Sequence, residues 1–240
     1  MKILHLYADL MNLYGEYANV WSMEHALMEQ GFEVQTDRRT LGDALDFSGY
    51  DFIYCGSGTE RSQKAALAHL SGYFDGLRQA ALTGTHALFT GNACELLGES
   101  ILGMDGKEYR CAGLLDFTVR EHRTRFTGDA IADFPEISAP LVGFVNKCTE
   151  LFRIQEPLFS MRLGMGNARE DPGEGWRYRN FLGTHLIGPI LVKNPAFLDW
   201  LAYIQPLLPD AETKTVSAAA IGRQMNHVRL GYYPTDPAHV

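Results

Sequence analysis

One side chain in this 240-residue chain, Cys94, has the chemistry of a nucleophile and stands close to a turn that could present one. Cys94 stands in TGNACELLG, Thr90 to Gly98, directly behind the apolar run HALF. That order has the outline of a strand-to-helix turn that lifts a reactive residue out of a sheet. A thiol at the tip of such a turn is activated by the helix N-terminus behind it and by a histidine base, which together favour thiolate. The tip here reads as Gly91, with Cys94 three residues further on, and glycine offers no nucleophile. His185, in NFLGTHLIGPIL, lies two residues before Ile187, on the same face if this run is a strand.

A second glycine-bearing turn, Gly56-Ser57-Gly58 in CGSGTE, lets backbone amides approach a ligand closely and suits an oxyanion or a carboxylate; the plainer reading is a simple turn. Cys55 beside it reads as core. The four cysteines form no CxxC pair and the eight histidines no i, i+4 pair, so no metal site, zinc site or disulfide framework is expected.

Positioning these turns requires a sheet. KILHLY (Lys2 to Tyr7) alternates as a first strand, and the loop ADLMNLYGEYAN after it looks functional. Asn19 reads as the cap of a helix from Val20 to Gln30, which Gly31 stops. FEVQT (Phe32 to Thr36), YDFIYCGSG (Tyr50 to Gly58) and HALFT supply three more strands, with a helix from about Arg61 to Thr83 broken at Gly72 or Gly76. Strands separated by helices make an open parallel sheet covered on both faces, a three-layer α/β/α flavodoxin-like fold. Ligands bind at the carboxyl ends of its strands.

The second half carries short β-like runs, AGLLDFTVRE, RFTGDAIADF, LVGFVNKCTELFRI and NFLGTHLIGPIL, expected as antiparallel additions at one sheet edge. GMGNAREDPGEGWRYRN (Gly164 to Asn180) reads as an exposed hairpin or a flexible, solvated loop, with Trp176 and Tyr178 as anchors if it docks a partner. NPAFLDWLAYIQPLL is helical until Pro206, giving a domain over 1–205 and an extension or tail over 206–240. A net charge of -8 without a basic patch argues against nucleic-acid binding. No apolar stretch is long enough for a signal peptide or a bilayer span, so a cytoplasmic protein is expected.

The order LYADLMNLYGEYANV, FIYCGSGTERSQ, ALFTGNACELLG, GLLDF, RFTGD, VGFVN and NFLGTHLIGPILVKNP resembles the class I glutamine amidotransferase domains related to cobyric acid synthase. Within these it is most similar to the GatD-type glutaminase subunits of lipid II isoglutaminyl synthases, from about residue 3 to residue 202. The resemblance implies a Cys-His glutaminase that passes ammonia to a Mur-ligase-like, ATP-dependent partner for amidation of the lipid II peptide, with glutamine or a related small ligand in its pocket and no cofactor. Matched on the shared LLG, Gly91 takes the place of the family cysteine, and Cys94 and Glu95 those of Tyr and Gln. Matched on Gly183-Thr184 and Gly188-Pro189, Ile187 takes the place of the family histidine and His185 an aromatic position. Val145 and Lys147 replace the Glu and His around Asn146. Arg125 and Asn146 match pocket positions, and an arginine fork would suit the α-carboxylate of glutamine. Cys94 and His185 are then either a relocated dyad or a packing thiol and a satisfied polar group without a catalytic role. The chain itself reads as either an ammonia-supplying subunit or a non-catalytic one that stabilises its ligase.

Overall fold

The computed structural model describes residues 1–204. β1 (Lys2–Leu6), β2 (Gln35–Arg39), β3 (Phe52–Cys55), β4 (His86–Thr90) and β12 (Phe181–Thr184) form a parallel sheet in the order β2-β1-β3-β4-β12, and β11 (Trp176–Tyr178) joins its edge antiparallel. Successive side chains on these strands point to opposite faces and feed two cores. Leu4, Ile53 and Phe89 face α2 (Glu60–Leu70) and α3 (Phe74–Thr83), while Ile3, Phe52 and Leu88 face α1 (Tyr17–Glu29), α4 (Ile190–Lys193) and α5 (Pro195–Ile204). The three-layer α/β/α expectation therefore holds.

The second half departs from an edge extension: NFLGTHLIGPIL was expected antiparallel, but its β12 pairs parallel with β4 inside the first sheet, Phe181 against Ala87 through Thr184 against Thr90. β7 (Thr118–Asp133) merges two of the expected runs and pairs antiparallel with β8 (Leu141–Phe152) through a register shift between Glu121 and Phe126. Together with β5 (Ser100–Leu102), β6 (Glu108–Arg110), β9 (Phe159–Leu163) and β10 (Gly173–Glu174) they make a separate sheet. Ala130, Ala132, Leu141 and Val145 of this sheet complete the core on the α1 side, which is why it packs as a layer of its own.

Local chemistry explains where the element boundaries differ from the sequence reading. α1 starts at Tyr17 because Asn12 Oδ1 accepts the Tyr17 N–H at 2.8 Å, so Asn12 supplies the start that Asn19 was expected to give. Asn19 is buried inside α1, where it donates to Tyr54 Oη at 2.8 Å and accepts from Leu191 N at 2.9 Å. β2 begins three residues later than FEVQT, since Phe32 and Val34 pack into the core ahead of the first pairing, Lys2 with Gln35. The long helix does break at Gly72, through a 3₁₀ turn over Ser71–Tyr73, and Thr59 caps α2 by accepting from Ser62 N at 3.0 Å.

The glycine-rich charged run is the largest surprise. Asn167, Glu174 and Trp176 are fully buried, which overturns the solvated loop and removes Trp176 as a docking anchor. Trp176 stacks on Phe117 and donates Nε1–H to the Cys94 carbonyl at 3.0 Å. Gly183 lets the indole close, because a Cβ there would lie 2.2 Å from its ring. The stretch 206–240 lies outside the described residues, among which no helix is long and apolar enough to cross a membrane and no group of metal-binding side chains assembles. Trp176→Ala should lower unfolding stability by about 3–5 kcal/mol, checked by urea denaturation; a loss near zero would mean that the indole is not the packing centre of this edge.

Candidate functional site

β4 delivers the backbone to an elbow as the motif requires. Thr90 ends the strand extended and Gly91 turns it at φ +57°, a left-handed value that strains any residue with a Cβ. The segment behind it, Gly91–Leu97, is a 3₁₀ turn rather than the expected α-helix, so few peptide dipoles align to favour a thiolate. The space into which a side chain at the tip would project is filled. A Cβ on Gly91 would lie 2.3 Å from Ser57 Oγ, 2.4 Å from Ser57 Cβ and 3.2 Å from Ile187 Cγ2.

Cys94 and His185 do meet. Cys94 Sγ lies 3.6 Å from His185 Nε2 and 3.9 Å from Nδ1, a near-equal pair of distances that aims the sulfur along neither nitrogen lone pair. β12 ends at Thr184, so His185 is held by the loop beyond it rather than by a strand. Its Nε2 lies 3.1 Å from Glu95 Oε1 and its Nδ1 3.5 Å from Glu174 Oε1. Its backbone N–H donates to the same Glu174 oxygen at 2.7 Å. Glu95 is further held by Thr149 Oγ1 at 2.5 Å and Gln63 Nε2 at 2.6 Å, and Glu174 by Thr184 Oγ1 at 2.6 Å. Lys147, also buried, donates to the carbonyls of Gly166 at 2.6 Å and Asn167 at 3.2 Å.

The electrostatics follow from this packing. Burial and the nearby Lys147 charge disfavour the imidazolium of His185, but the anionic groups around the ring, with the Glu174 hydrogen bond among them, outweigh both and hold its pKa well above the usual value. Burial likewise opposes charge on Glu95, yet the His185 contact and the Thr149 and Gln63 bonds keep its pKa below the ordinary carboxylate value. Burial pushes the Cys94 thiol up, with His185 pulling the other way, so the sulfur is protonated at neutral pH. Since its pKa stays raised, the Cys94 sulfur carries no charge to sustain the imidazolium, and we assign that role to the two carboxylates. Both ring nitrogens of His185 face a carboxylate and neither is free to take a proton from the thiol.

The predicted ligand turn is tied off as well. Gly58 N donates to Asn92 Oδ1 at 2.9 Å and Asn92 Nδ2 returns to Gly58 O at 2.9 Å, so the amide expected at an oxyanion is occupied by a side chain. Gly56 and Gly58 are glycines for packing reasons: added Cβ atoms would lie 2.6 Å from Met11 O and 2.4 Å from Met11 Sδ respectively. Next to this turn is a cavity of about 190 Å³ lined by Ser57, Gly58, Arg125, Asn146, Lys147 and Glu95 among others, with neither Cys94 nor His185 in its wall. Arg125 pairs there with Glu60 and donates to Asn146 Oδ1 at 3.0 Å, while Asn146 donates to Tyr14 Oη at 2.7 Å. Beneath the elbow, Glu16 is wholly buried and accepts from Tyr54 Oη at 2.9 Å, from Thr90 Oγ1 and from Gly188 N at 3.2 Å; burial raises its pKa against those bonds.

A model of the CobB/CobQ-like glutamine amidotransferase domain matches residues 2–195. The chain belongs to this family. GatD, a glutamine-hydrolysing lipid II isoglutaminyl synthase subunit of Staphylococcus aureus (strain N315), is 30% identical over 201 residues, covering 84% of this chain and 82% of its own. The subunit of the same name from Streptococcus pneumoniae (strain ATCC BAA-255 / R6) is 28% identical over 197 residues, covering 81% and 76%. Among solved structures, a glutamine amidotransferase superposes with a TM-score of 0.56 at 15% identity, covering 85% of this chain and 99% of its own. The structure of PurLQS from Thermotoga maritima gives 0.54 at 13%, covering 85% and 98%. At such identities these show the fold. A model for an uncharacterised methyltransferase family matches residues 192–240, mostly outside the described residues.

In this amidotransferase-family domain the sequence reading found Cys94, His185, Arg125 and Asn146 but not the side chains that govern them. Glu174 was hidden in an apparently solvated charge run, and Asn92 carried no motif signal; Glu95 and Lys147 were visible only as departures from the family pattern.

Gly91→Ala should destabilise the domain by about 1–3 kcal/mol through strain and the Ser57 contact, and Ser57→Gly should relieve part of that cost, as a double-mutant cycle by urea unfolding would read. Glu95→Gln should cost about 3–5 kcal/mol at neutral pH, by removing one of the two carboxylates that face the buried His185 ring. Because the folded Glu95 pKa lies below its ordinary 4.5, its stabilisation is present above that pH and lost as pH falls through the folded value. Because the His185 pKa is raised above 6.5, its share is complete below 6.5 and lost as pH rises through the folded value. Unfolding across a pH series should therefore show the two proteins converging on acidification; a pH-independent gap would contradict the ion pair.

Proposed function

We propose that this chain is the amidotransferase-like subunit of a lipid II isoglutaminyl synthase-type complex, that it assembles with a Mur-ligase-like, ATP-dependent partner, and that it serves that partner without hydrolysing glutamine. The kinship with GatD subunits supports the complex. The observation that carries the non-catalytic half is the filled elbow: Gly91 supplies no nucleophile, and Ser57 and Ile187 occupy the volume where one would stand. A glutaminase must place a thiolate beside a free base and an open oxyanion site. Here the available thiol is buried and protonated, its histidine is bracketed by carboxylates, and the Gly58 amide is bonded to Asn92. The subunit then stabilises or positions its ligase, which draws on free ammonium or another amine.

One observation favours a second reading. The 3.6 Å approach of Cys94 Sγ to His185 Nε2 is the separation of a relocated dyad, which would work if the loop beyond β12 opened. Ammonia release from glutamine by the purified chain with its partner separates the two. We expect release at background and no change on Cys94→Ala, with amidation driven by ammonium and increased by adding the chain. Glutamine-dependent turnover that disappears in Cys94→Ala would replace this proposal with the dyad.

A further inference from the structure

A larger cavity lies elsewhere. At the carboxyl ends of β1 and β2 a cleft of about 560 Å³ is walled by the loop that follows β1, by the first turns of α1 and by the chain leaving β2. It lies well within the range of small-molecule sites, and the carboxyl ends of parallel strands are where open α/β sheets receive ligands.

Three features of its lining point to one class of occupant. Arg38 and Arg39 both line the cleft, and the Arg38 guanidinium has no carboxylate partner among the described residues. Asp9 and Asp43, the acidic residues facing the same space, are each engaged by Thr40, through its hydroxyl at 2.5 Å and its backbone N–H at 2.8 Å. Tyr17 and Trp21, one turn apart on α1, form an edge-to-face pair with centroids 4.6 Å apart, and Trp21 is 55% exposed. Such a wall takes a flat ring.

His5 supplies the independent observation. It is only 2% exposed, it lines the cleft, and its Nε2 is buried with no hydrogen-bond partner. Burial, reinforced by the Arg38 charge, lowers its pKa to about 4, so the ring is neutral at physiological pH and offers Nε2 as a single donor or acceptor. His5 pairs in register with Arg38 across β1 and β2, which sets the two side chains next to each other on one face of the sheet. Buried polar atoms in native proteins are nearly always bonded, and an orphan beside an unpaired guanidinium marks a place for a ligand.

We propose that this cleft binds a small organic anion bearing a flat ring, with its carboxylate or phosphate on Arg38, its ring against Trp21 and Tyr17, and a polar atom on His5 Nε2. The site is separate from the elbow, and its occupancy does not depend on whether glutamine is hydrolysed.

Calorimetric titration of the full chain tests this with adenosine 5′-monophosphate and indole-3-acetate as phosphate and carboxylate probes, and with adenosine and inorganic phosphate as their halves. At least one ring-bearing anion should bind, more tightly than either half. Arg38→Gln should weaken it by about tenfold to a hundredfold and Trp21→Ala by about tenfold. Both side chains are exposed, so the variants should fold, and matched circular dichroism spectra would establish this. Absence of binding by both anions, inorganic phosphate binding as tightly as the nucleotide, or affinities unchanged in both variants would overturn the proposal.

Discussion

The described structure depends on a buried set of charges that joins its two sheets. Glu95 comes from the turn behind β4, Glu174 from β10 and His185 from the loop after β12, and all three are excluded from water. Taking such groups out of solvent is costly and is tolerated only when each is paired and its remaining valences are bonded. Thr149, Gln63, Thr184 and the His185 amide meet that condition for the two carboxylates. The network thereby ties the second sheet to the first: β8 and β10 are bound to β12 and α2 through side chains that have no other satisfied arrangement. Its cost is also its specificity, since any slippage would strand a charge.

That arrangement changes what the elbow means. The left-handed turn at Gly91 is the geometry by which an open sheet offers a side chain to a ligand, yet its neighbours have closed over it. Glu16 braces the turn from below through Thr90, Tyr54 and the Gly188 amide, so the backbone is held even though nothing projects from it. Asn92 fastens the facing glycine turn from the side. The space beside the elbow is thus filled by Ser57 and Ile187, and the Gly58 backbone groups are bonded to the Asn92 amide.

Legibility in the sequence tracked the range of the interactions. The first four parallel strands and their helices were readable because period-two and period-3.6 patterns are local, whereas the parallel pairing of β12 with β4 is a long-range contact that its sequence did not signal. The separate second sheet was not, because only the distant contact of Ala130, Leu141 and Val145 with the α1-side core decides that β7 and β8 form a layer rather than an edge. Glu174 and Trp176 were misread for a related reason. Gly, Asp and Glu around them signal solvent, while their burial is set by Gly175 at φ +66° and by Gly183, whose bare backbone admits the indole.

What the sequence determined by itself is the kind of domain this is: the order of its first strands, helices and glycine turns, with glycine at position 91 and isoleucine at position 187. These are properties of identity and spacing along the chain. Tertiary structure alone decided what Cys94 and His185 are to each other. Their approach, and the carboxylates that occupy both nitrogens of the ring, come from segments roughly ninety positions apart in Cys94 and His185 and from partners in other elements. Proton affinities are set by burial and by through-space charge, which no local pattern encodes.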